Sequence, residues 1–475
     1  MFKKFWQQNW LLLMIIFLGV GVRLKDFWVI PIDAHPMRQT DTECVAYFIY
    51  SGQASFLKPK SCLMRPVSNT EGYFFLEMPF YEGLIALGYK VFGVYPWVAR
   101  LINLVLYVLG SVALFSFMKD WWNKKVAWFS VFIFSCVPGS IFFVGHAIHP
   151  DALAVSFILI SLFFGWKYAK KGRVMDLFLS GIFLGISVAS RPFGLICLPV
   201  LGYFLFLKKR RWRDYLIMVV LSIGFYGWWW WRTRSLGIDM SWENWVINGR
   251  EKLLVWENLK NLIWKNVIGE TMGKVVSLLA GIGLIVGVIR KEKKMVPLIL
   301  WLLGIIVYWL MVPNGNLVHQ YYADVYIPLV VILAGIGCEW IGNKSIFWIL
   351  LIVPLVIYNG VRTSNYHFDT RGNEGAIEIA EEIKRTIPED KKIIYLAKDD
   401  SIPLSLSHRQ GWMLGEWPTD VAVHIWAFME MRNYKFDYIV EPKDRMDITT
   451  DEWNIIKLNY PLVRAGDKIN IYGYR

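Results

Sequence analysis

Long apolar runs joined by short polar links fill this chain as far as residue 359. Eleven runs stand out, at residues 10–22, 97–118, 126–144, 152–166, 177–189, 193–207, 215–231, 275–289, 296–312, 322–341 and 346–358. They are continuous rather than striped, and they approach the roughly 20 residues an α-helix needs to cross a bilayer. A further apolar segment, Pro79 to Gly93, follows a polar stretch and reads as a helix lying along the membrane surface. Beyond Asn359 the pattern changes to charged segments with turns and short apolar runs. There Asn373 is placed to cap a helix reaching Thr386, with Ile377, Ala380 and Ile383 on one face. Residues 391–397, 436–440 and 468–472 read as strands. The predicted fold class is mainly α, a polytopic membrane helix bundle of about eleven transmembrane helices with a small extracytoplasmic α/β C-terminal domain. The predicted domains are 1–359, with external loops at 23–95 and 232–270, and 360–475.

Composition agrees, because 56% hydrophobic and 19% charged residues leave too little polar surface to coat a soluble domain of 475 residues. The net charge of +13 would suit a nucleic-acid binder if it were spread over one face. Instead the cations gather in alternate links: Lys119, Lys124 and Lys125; Lys167 to Arg173; Lys208 to Arg213; Arg290 to Lys294. The intervening links at 145–150 and 313–319 hold none, and 190–192 holds only Arg191. Positive charge stays on the cytoplasmic side, so the N-terminus is expected inside and, with an odd number of spans, the C-terminus outside. The expected location is the cytoplasmic (inner) membrane, with membrane lipids as partners and no nucleic acid. Two lysines precede the first apolar run without a small-residue cleavage site after it, so that run reads as a retained helix. Cys136, Cys197 and Cys338 lie in apolar runs as packing residues, whereas Cys44 and Cys62 share an external loop and could pair in an oxidising compartment.

Candidate chemistry collects on the predicted outer side. His35, Arg38, Asp41 and Glu43 lie close together in the first loop, where a carboxylate could deprotonate a hydroxyl or hold a divalent metal ion and a guanidinium could grip phosphate. Glu77 precedes the surface helix. His149 and Asp151 stand at a helix start, Arg191 lies in a tight turn before Pro192, and His319, Tyr321 and Tyr322 follow Asn314-Gly315-Asn316. An acid in a first helical turn also has the ordinary role of meeting the helix dipole, and a hydrophilic loop needs no chemistry. Four such groups on one side of a membrane still favour a site, since ionisable groups are costly there. Trp228 to Trp231 fits an interfacial aromatic belt. The metal expectation falls on Asp41, Glu43, Glu77, His149 and Asp151. No phosphate-binding loop, dinucleotide fingerprint or HExxH occurs, so no nucleotide cofactor is expected.

Taken in order, these segments resemble bacterial family-39-type glycosyltransferases of the GT-C class, relatives of protein O-mannosyltransferases and of the aminoarabinose lipid A transferase. The resemblance runs through His35-Pro36-Met37-Arg38-Gln39-Thr40-Asp41-Thr42, Glu77-Met78-Pro79-Phe80-Tyr81, His149-Pro150-Asp151-Ala152, His319-Gln320-Tyr321-Tyr322 and Arg409-Gln410-Gly411-Trp412. Two departures stand out: Arg191 occupies a turn where many relatives carry Lys-Pro, and the first-loop acids read Asp-Thr-Glu rather than adjacent Asp-Glu. The resemblance implies a polyprenyl-phosphate-linked sugar donor and an acceptor hydroxyl on a lipid, glycan or protein at the outer membrane face. It implies catalytic roles for Asp41, Glu43 and Asp151, Asp41 as base or acceptor-positioning group, and donor-phosphate contacts from Arg38, Arg191 and His319. His35, Glu77, His149, Tyr321 and Tyr322 complete the expected substrate-binding set. The competing readings are a transporter or flippase of a lipid-linked sugar and a surface-polysaccharide polymerase or ligase. A transporter would place ionisable residues near the midplane on paired repeats, and no repeat is present.

Overall fold

Each predicted apolar run falls on a helix, or on a pair of short ones, in the computed structural model, which describes residues 2–64, 69, 71–237, 245–396, 401–414, 436–443 and 460–473. In chain order the helices begin with α1 (Phe2–Arg23), α2 (Pro36–Ser51), α3 (Phe80–Phe92) and α4 (Pro96–Trp121). Next come α5 (Lys124–Cys136), α6 (Pro138–Ile141), α7 (Asp151–Lys171), α8 (Val174–Ser190), α9 (Leu198–Leu207) and α10 (Trp212–Ser235). They continue with α11 (Trp256–Lys260), α12 (Lys274–Ile289), α13 (Met295–Met311), α14 (Pro313–Val318), α15 (Ile327–Gly342) and α16 (Ile346–Ser364). The last two are α17 (Gly375–Thr386) and α18 (Ile402–Leu406). By its own contacts the chain divides into two compact units, one of residues 1–29, 99–236 and 241–368, the other of residues 30–98, 237–240 and 369–475.

The first unit is the helical one. Among the described residues four of its helices are long and apolar enough to cross a membrane: α4, α7, the Gln320–Gly342 helix that includes α15, and α16. A fifth candidate is the pair Trp256–Met272 and Lys274–Ile289, bent by 106°. Shorter apolar helices run over Trp10–Arg23, Val174–Ser190, Pro192–Leu207 and Met295–Met311. The chain is thus a multi-pass membrane protein, and on this measure it falls short of the eleven full-length spans expected. Breaks account for part of the shortfall. The run at 126–144 is split at Val137, before Pro138, and the run at 193–207 starts as a 3-10 helix after Pro192; proline cannot donate to the helical ladder. The expected loop at 232–270 also holds a π-helix, Asn261–Met272, while its residues 238–244 lie outside those described.

Two arginines tie helix ends together inside this unit. Arg23 is fully buried, donates to the carbonyls of Gly19, Phe134, Ser135 and Ser140, and stacks 3.8 Å from the Tyr107 ring. Arg100 donates to the carbonyls of Asp26, Phe27, Val29 and His146. These carbonyls lie near helix ends and in the turns that follow them, where the regular ladder leaves acceptors over, so a guanidinium with five donors satisfies several at once. Helices α12 and α15 pack closely through glycine: a Cβ on Gly283 would collide with the Leu333 carbonyl, and one on Gly337 with that of Leu279.

The second unit carries a five-stranded sheet built from β1 (Ile393–Leu396), β2 (Gly411–Leu414), β3 (Tyr438–Pro442), β4 (Leu462–Ala465) and β5 (Ile469–Gly473) in the order β2-β1-β3-β5-β4. β1 is parallel to β2 and β3, and β5 is antiparallel to β3 and β4. Ile379 and Ile383 of α17 pack with Ile393, Tyr395, Val440 and Ile471 of the sheet. Asn373 does not cap α17, whose N-cap is Glu374; its side chain donates instead to the Ile32 carbonyl, 2.9 Å away. The surface helix expected at 79–93 is α3, with Tyr81, Glu82, Ile85, Ala86 and Tyr89 buried and Leu84, Leu87 and Val91 exposed. Cys44 and Cys62 form a disulfide.

Candidate functional site

Asp151 opens α7, and the sequence around it explains why the side chain is held there. Pro150 precedes the helix, and the Asp151 carboxylate sits in the first turn, where unsatisfied N–H groups favour a negative charge. Arg191 ends α8 with an extended backbone (φ −145°, ψ 101°), the conformation imposed on a residue before proline. Its guanidinium meets Asp151 in a fork, Nε to Oδ1 at 3.0 Å and Nη2 to Oδ2 at 2.6 Å. His149 Nδ1 lies 3.1 Å from Asp151 Oδ2. All three side chains are buried, with relative exposures of 0% for His149, 2% for Asp151 and 7% for Arg191. A bidentate, charge-assisted pair of this kind fixes geometry as well as charge.

The aromatic wall of this cluster comes from the short 3-10 helix Gln320–Tyr326. The Tyr321 ring lies 5.5 Å from the Arg191 guanidinium and 4.9 Å, edge-on, from His149. His319 stacks on Tyr321 at 5.1 Å and lies 6.1 Å from Tyr322, which packs 5.3 Å from Phe193. Asn314 donates to the Trp245 carbonyl at 2.8 Å, and Asn316 accepts from the Tyr326 hydroxyl at 2.6 Å. His149, Asp151, Arg191, His319, Tyr321 and Tyr322, remote in sequence, are therefore brought together. Asp324 was not foreseen. It is fully buried, within electrostatic reach of Asp151 and Arg191, and neither carboxylate oxygen has a hydrogen-bond partner among the described residues. The sequence carries its signal: an acid inside an apolar run is costly in a membrane.

The first-loop candidates belong to the second unit, and they stand on a helix rather than in a loop. Pro36 starts α2, and the Cys44 to Tyr50 stretch, mostly apolar, carries it on. His35 precedes it in the left-handed region (φ 56°). Arg38 pairs with Glu77 and lies 5.7 Å from the Phe74 ring. Gln39 donates to Asp33 at 2.5 Å and to the Ala34 carbonyl at 2.9 Å. Asp41 accepts from the Ser61 hydroxyl. Glu43, by contrast, is buried and accepts from the Tyr89 hydroxyl of α3 at 3.2 Å. Residues two apart on an α-helix point about 200° away from each other. Asp41 and Glu43 therefore serve different surroundings and do not form the paired-carboxylate site suggested by their spacing.

Among the described residues no three histidine, cysteine or acidic side chains gather as a metal-holding group. Of the five residues considered for that role, Glu77 is engaged by Arg38, Glu43 by Tyr89, and Asp151 by both Arg191 and His149. A cation at Asp151 would have to displace a guanidinium already seated on both oxygens.

Residues 77–231 match the family model of dolichyl-phosphate-mannose-protein mannosyltransferase, a segment that contains Glu77, His149, Asp151 and Arg191. The structure is similar to that of ArnT from Cupriavidus metallidurans in the apo state, with a TM-score of 0.60 at 13% identity, covering 96% of this chain and 97% of that one. ArnT bound to undecaprenyl phosphate aligns with a TM-score of 0.61 at 13% identity and the same coverage. The oligosaccharyltransferase of Archaeoglobus fulgidus, in complex with zinc and sulfate, gives a TM-score of 0.60 at 12% identity over 91% of this chain and 68% of that one. No curated protein matches the chain by sequence. The resemblance read from the motifs is thus met by a family model over one segment and by a shared fold over nearly the whole length.

Proposed function

We propose that the protein transfers a sugar from a polyprenyl-phosphate-linked donor to an acceptor hydroxyl at the outer face of the cytoplasmic membrane. The observation that carries this reading is the buried Asp151–Arg191 fork with His149, Tyr321 and His319 around it, in a fold shared with a protein crystallised with undecaprenyl phosphate. In the proposed reaction the acceptor oxygen attacks the anomeric carbon, the bond from that carbon to the phosphate oxygen breaks, and the polyprenyl phosphate departs with its electron pair. Arg191 has five N–H donors and uses two on Asp151, so the acid can hold the guanidinium in place while it serves a phosphate. His319 and Tyr321 line the same cluster. Asp41, oriented by Ser61, is the proposed base that takes the acceptor proton. The disulfide of Cys44 and Cys62 supports an oxidising compartment for that unit, in keeping with the outer-face reading.

The test is transfer of a labelled sugar from a polyprenyl-phosphate donor by the purified, reconstituted protein. We expect turnover with the lipid donor and none with a soluble nucleotide sugar. Efficient use of the nucleotide sugar, or movement of the lipid-linked sugar across a bilayer without transfer, would refute the reading. Running the assay with and without a chelator reports whether a divalent ion takes part.

A further inference from the structure

At the far end of α15 from the Asp151 cluster lies a cavity of about 150 Å³. α15 has 16 residues, so its last turn stands roughly 24 Å along the helix from its start beside Tyr326. The cavity is closed by three helix ends. Trp122 and Asn123 come from the α4–α5 link, Arg290 and Glu292 follow α12, and Glu339 and Trp340 belong to the last turn of α15.

The lining is of mixed sign. Asn123 donates to Glu339 Oε1 at 3.3 Å and so aims that carboxylate. Arg290 and Glu292 are exposed at the rim and form no ion pair among the described residues. Two tryptophans at the end of membrane-crossing helices mark the headgroup level of a bilayer. Next to the mouth, Ile285, Val288 and Ile289 of α12 are exposed, an apolar track along which acyl chains could run.

We infer that this cavity binds a phospholipid with a zwitterionic, primary-amine headgroup of the phosphoethanolamine class. Arg290 takes the phosphate, and Glu339 and Glu292 take the ammonium, which has three N–H donors to give them. A purely anionic headgroup would bring its charge up to two carboxylates without offering them a cation. A quaternary ammonium has no N–H to donate. It would rely on the indole faces, and Lys294 and Lys344 already stand 5.5 Å from Trp122 and 5.8 Å from Trp340.

The experiment uses the full chain in detergent, supplemented in turn with dioleoyl phosphatidylethanolamine, phosphatidylcholine or phosphatidylglycerol, and reads retained lipid by native mass spectrometry. Phosphatidylethanolamine should be retained about tenfold over the other two, the usual worth of one charge-assisted hydrogen bond. Combining Glu292→Gln with Glu339→Gln should bring the three lipids to parity. Equal or better retention of phosphatidylcholine or phosphatidylglycerol by the unmodified protein would overturn the assignment, a result that does not depend on how the variant folds. Displacement of bound phosphatidylethanolamine by an equal concentration of soluble phosphoethanolamine would overturn the lipid as the occupant.

Discussion

At the scale of single residues, the Asp151–Arg191 pair sets the sharpest expectations. Removing one partner of a buried ion pair strands the other, at a cost of about 3–5 kcal/mol, so Arg191→Gln alone should lower the thermal stability of the purified protein markedly. Combining it with Asp151→Asn should recover much of that loss while transfer stays low, because the cation proposed to hold the donor phosphate is gone. Equal instability of the single and double variants would show that the pair is not coupled. Asp41→Asn belongs to the same proposal and differs in kind: its partner Ser61 can still donate to an amide oxygen, so folding should persist. Transfer should then fall by roughly a hundred- to ten-thousand-fold, the usual worth of a general base; near-normal turnover removes Asp41 from the mechanism. His408 supplies a pH dependence. It is stacked 3.8 Å from Tyr47, and burial, aided by Lys384 and Arg409, pulls its pKa from 6.5 down to about 3. The unfolded chain therefore binds a proton that the folded chain refuses, and the unit's stability is fully present above about pH 6.5 and declines as pH falls towards 3. Hydrogen exchange at α18 and β2 should report this slope, and His408→Asn, which tolerates the left-handed backbone at that position (φ 55°), should flatten it.

At the scale of elements, close approach explains which changes the helices can absorb. Gly283→Leu would force a side chain into the Leu333 carbonyl, so α12 and α15 must separate. Small residues are what let membrane helices pack backbone to backbone. That variant should lose folded yield and melt lower by size-exclusion and thermal-shift assays, while Gly281→Leu, at a position with open space, should not. The same contrast shows what the sequence made legible. Apolar runs announced helices because a long continuous run has few other solutions in a bilayer; α3 was readable as a shorter apolar segment and α17 from its stripe. Strands β1, β3 and β5 were readable as short apolar runs between turns. β2 and β4 were not: β2 is four residues beside a turn, and β4 is exposed along its whole length. α2 was hidden because Arg38, Asp41 and Glu43 made its first half look like a polar loop. Its helical reason is tertiary, with Glu43 bonded to Tyr89 and Cys44 to Cys62. Site residues at helix ends were legible because charge there is conspicuous, whereas Asp324 was masked by the apolar run around it. What residue spacing could not convey was direction, which is why Asp41 and Glu43 read as a pair and are not one.

At the scale of the whole molecule, the membrane orientation carries the proposed function, because a lipid-linked donor at the outer face requires the candidate residues to be there. Charge is the argument. The cationic links 119–125, 167–173, 208–213 and 290–294 alternate with links that are nearly bare, and the translocation machinery retains Lys- and Arg-rich links on the cytoplasmic side. The disulfide of Cys44 and Cys62 gives an independent reason, since such bonds persist in oxidising compartments. The protein is well suited to a labelling test, as two of its cysteines are bonded to each other and Cys136, Cys197 and Cys338 are buried. Lys171→Cys, at the exposed end of α7, and Glu381→Cys, on the exposed side of α17, both lie outside the candidate chemistry. With a membrane-impermeant maleimide on intact cells whose outer barrier has been opened, Glu381→Cys should label at once. Lys171→Cys should label only after the cytoplasmic membrane is lysed. If the two positions label from the same side, the odd number of crossings expected between α7 and α17 is wrong. The candidate base and its oxidised loop would then need another route to a lipid-linked sugar.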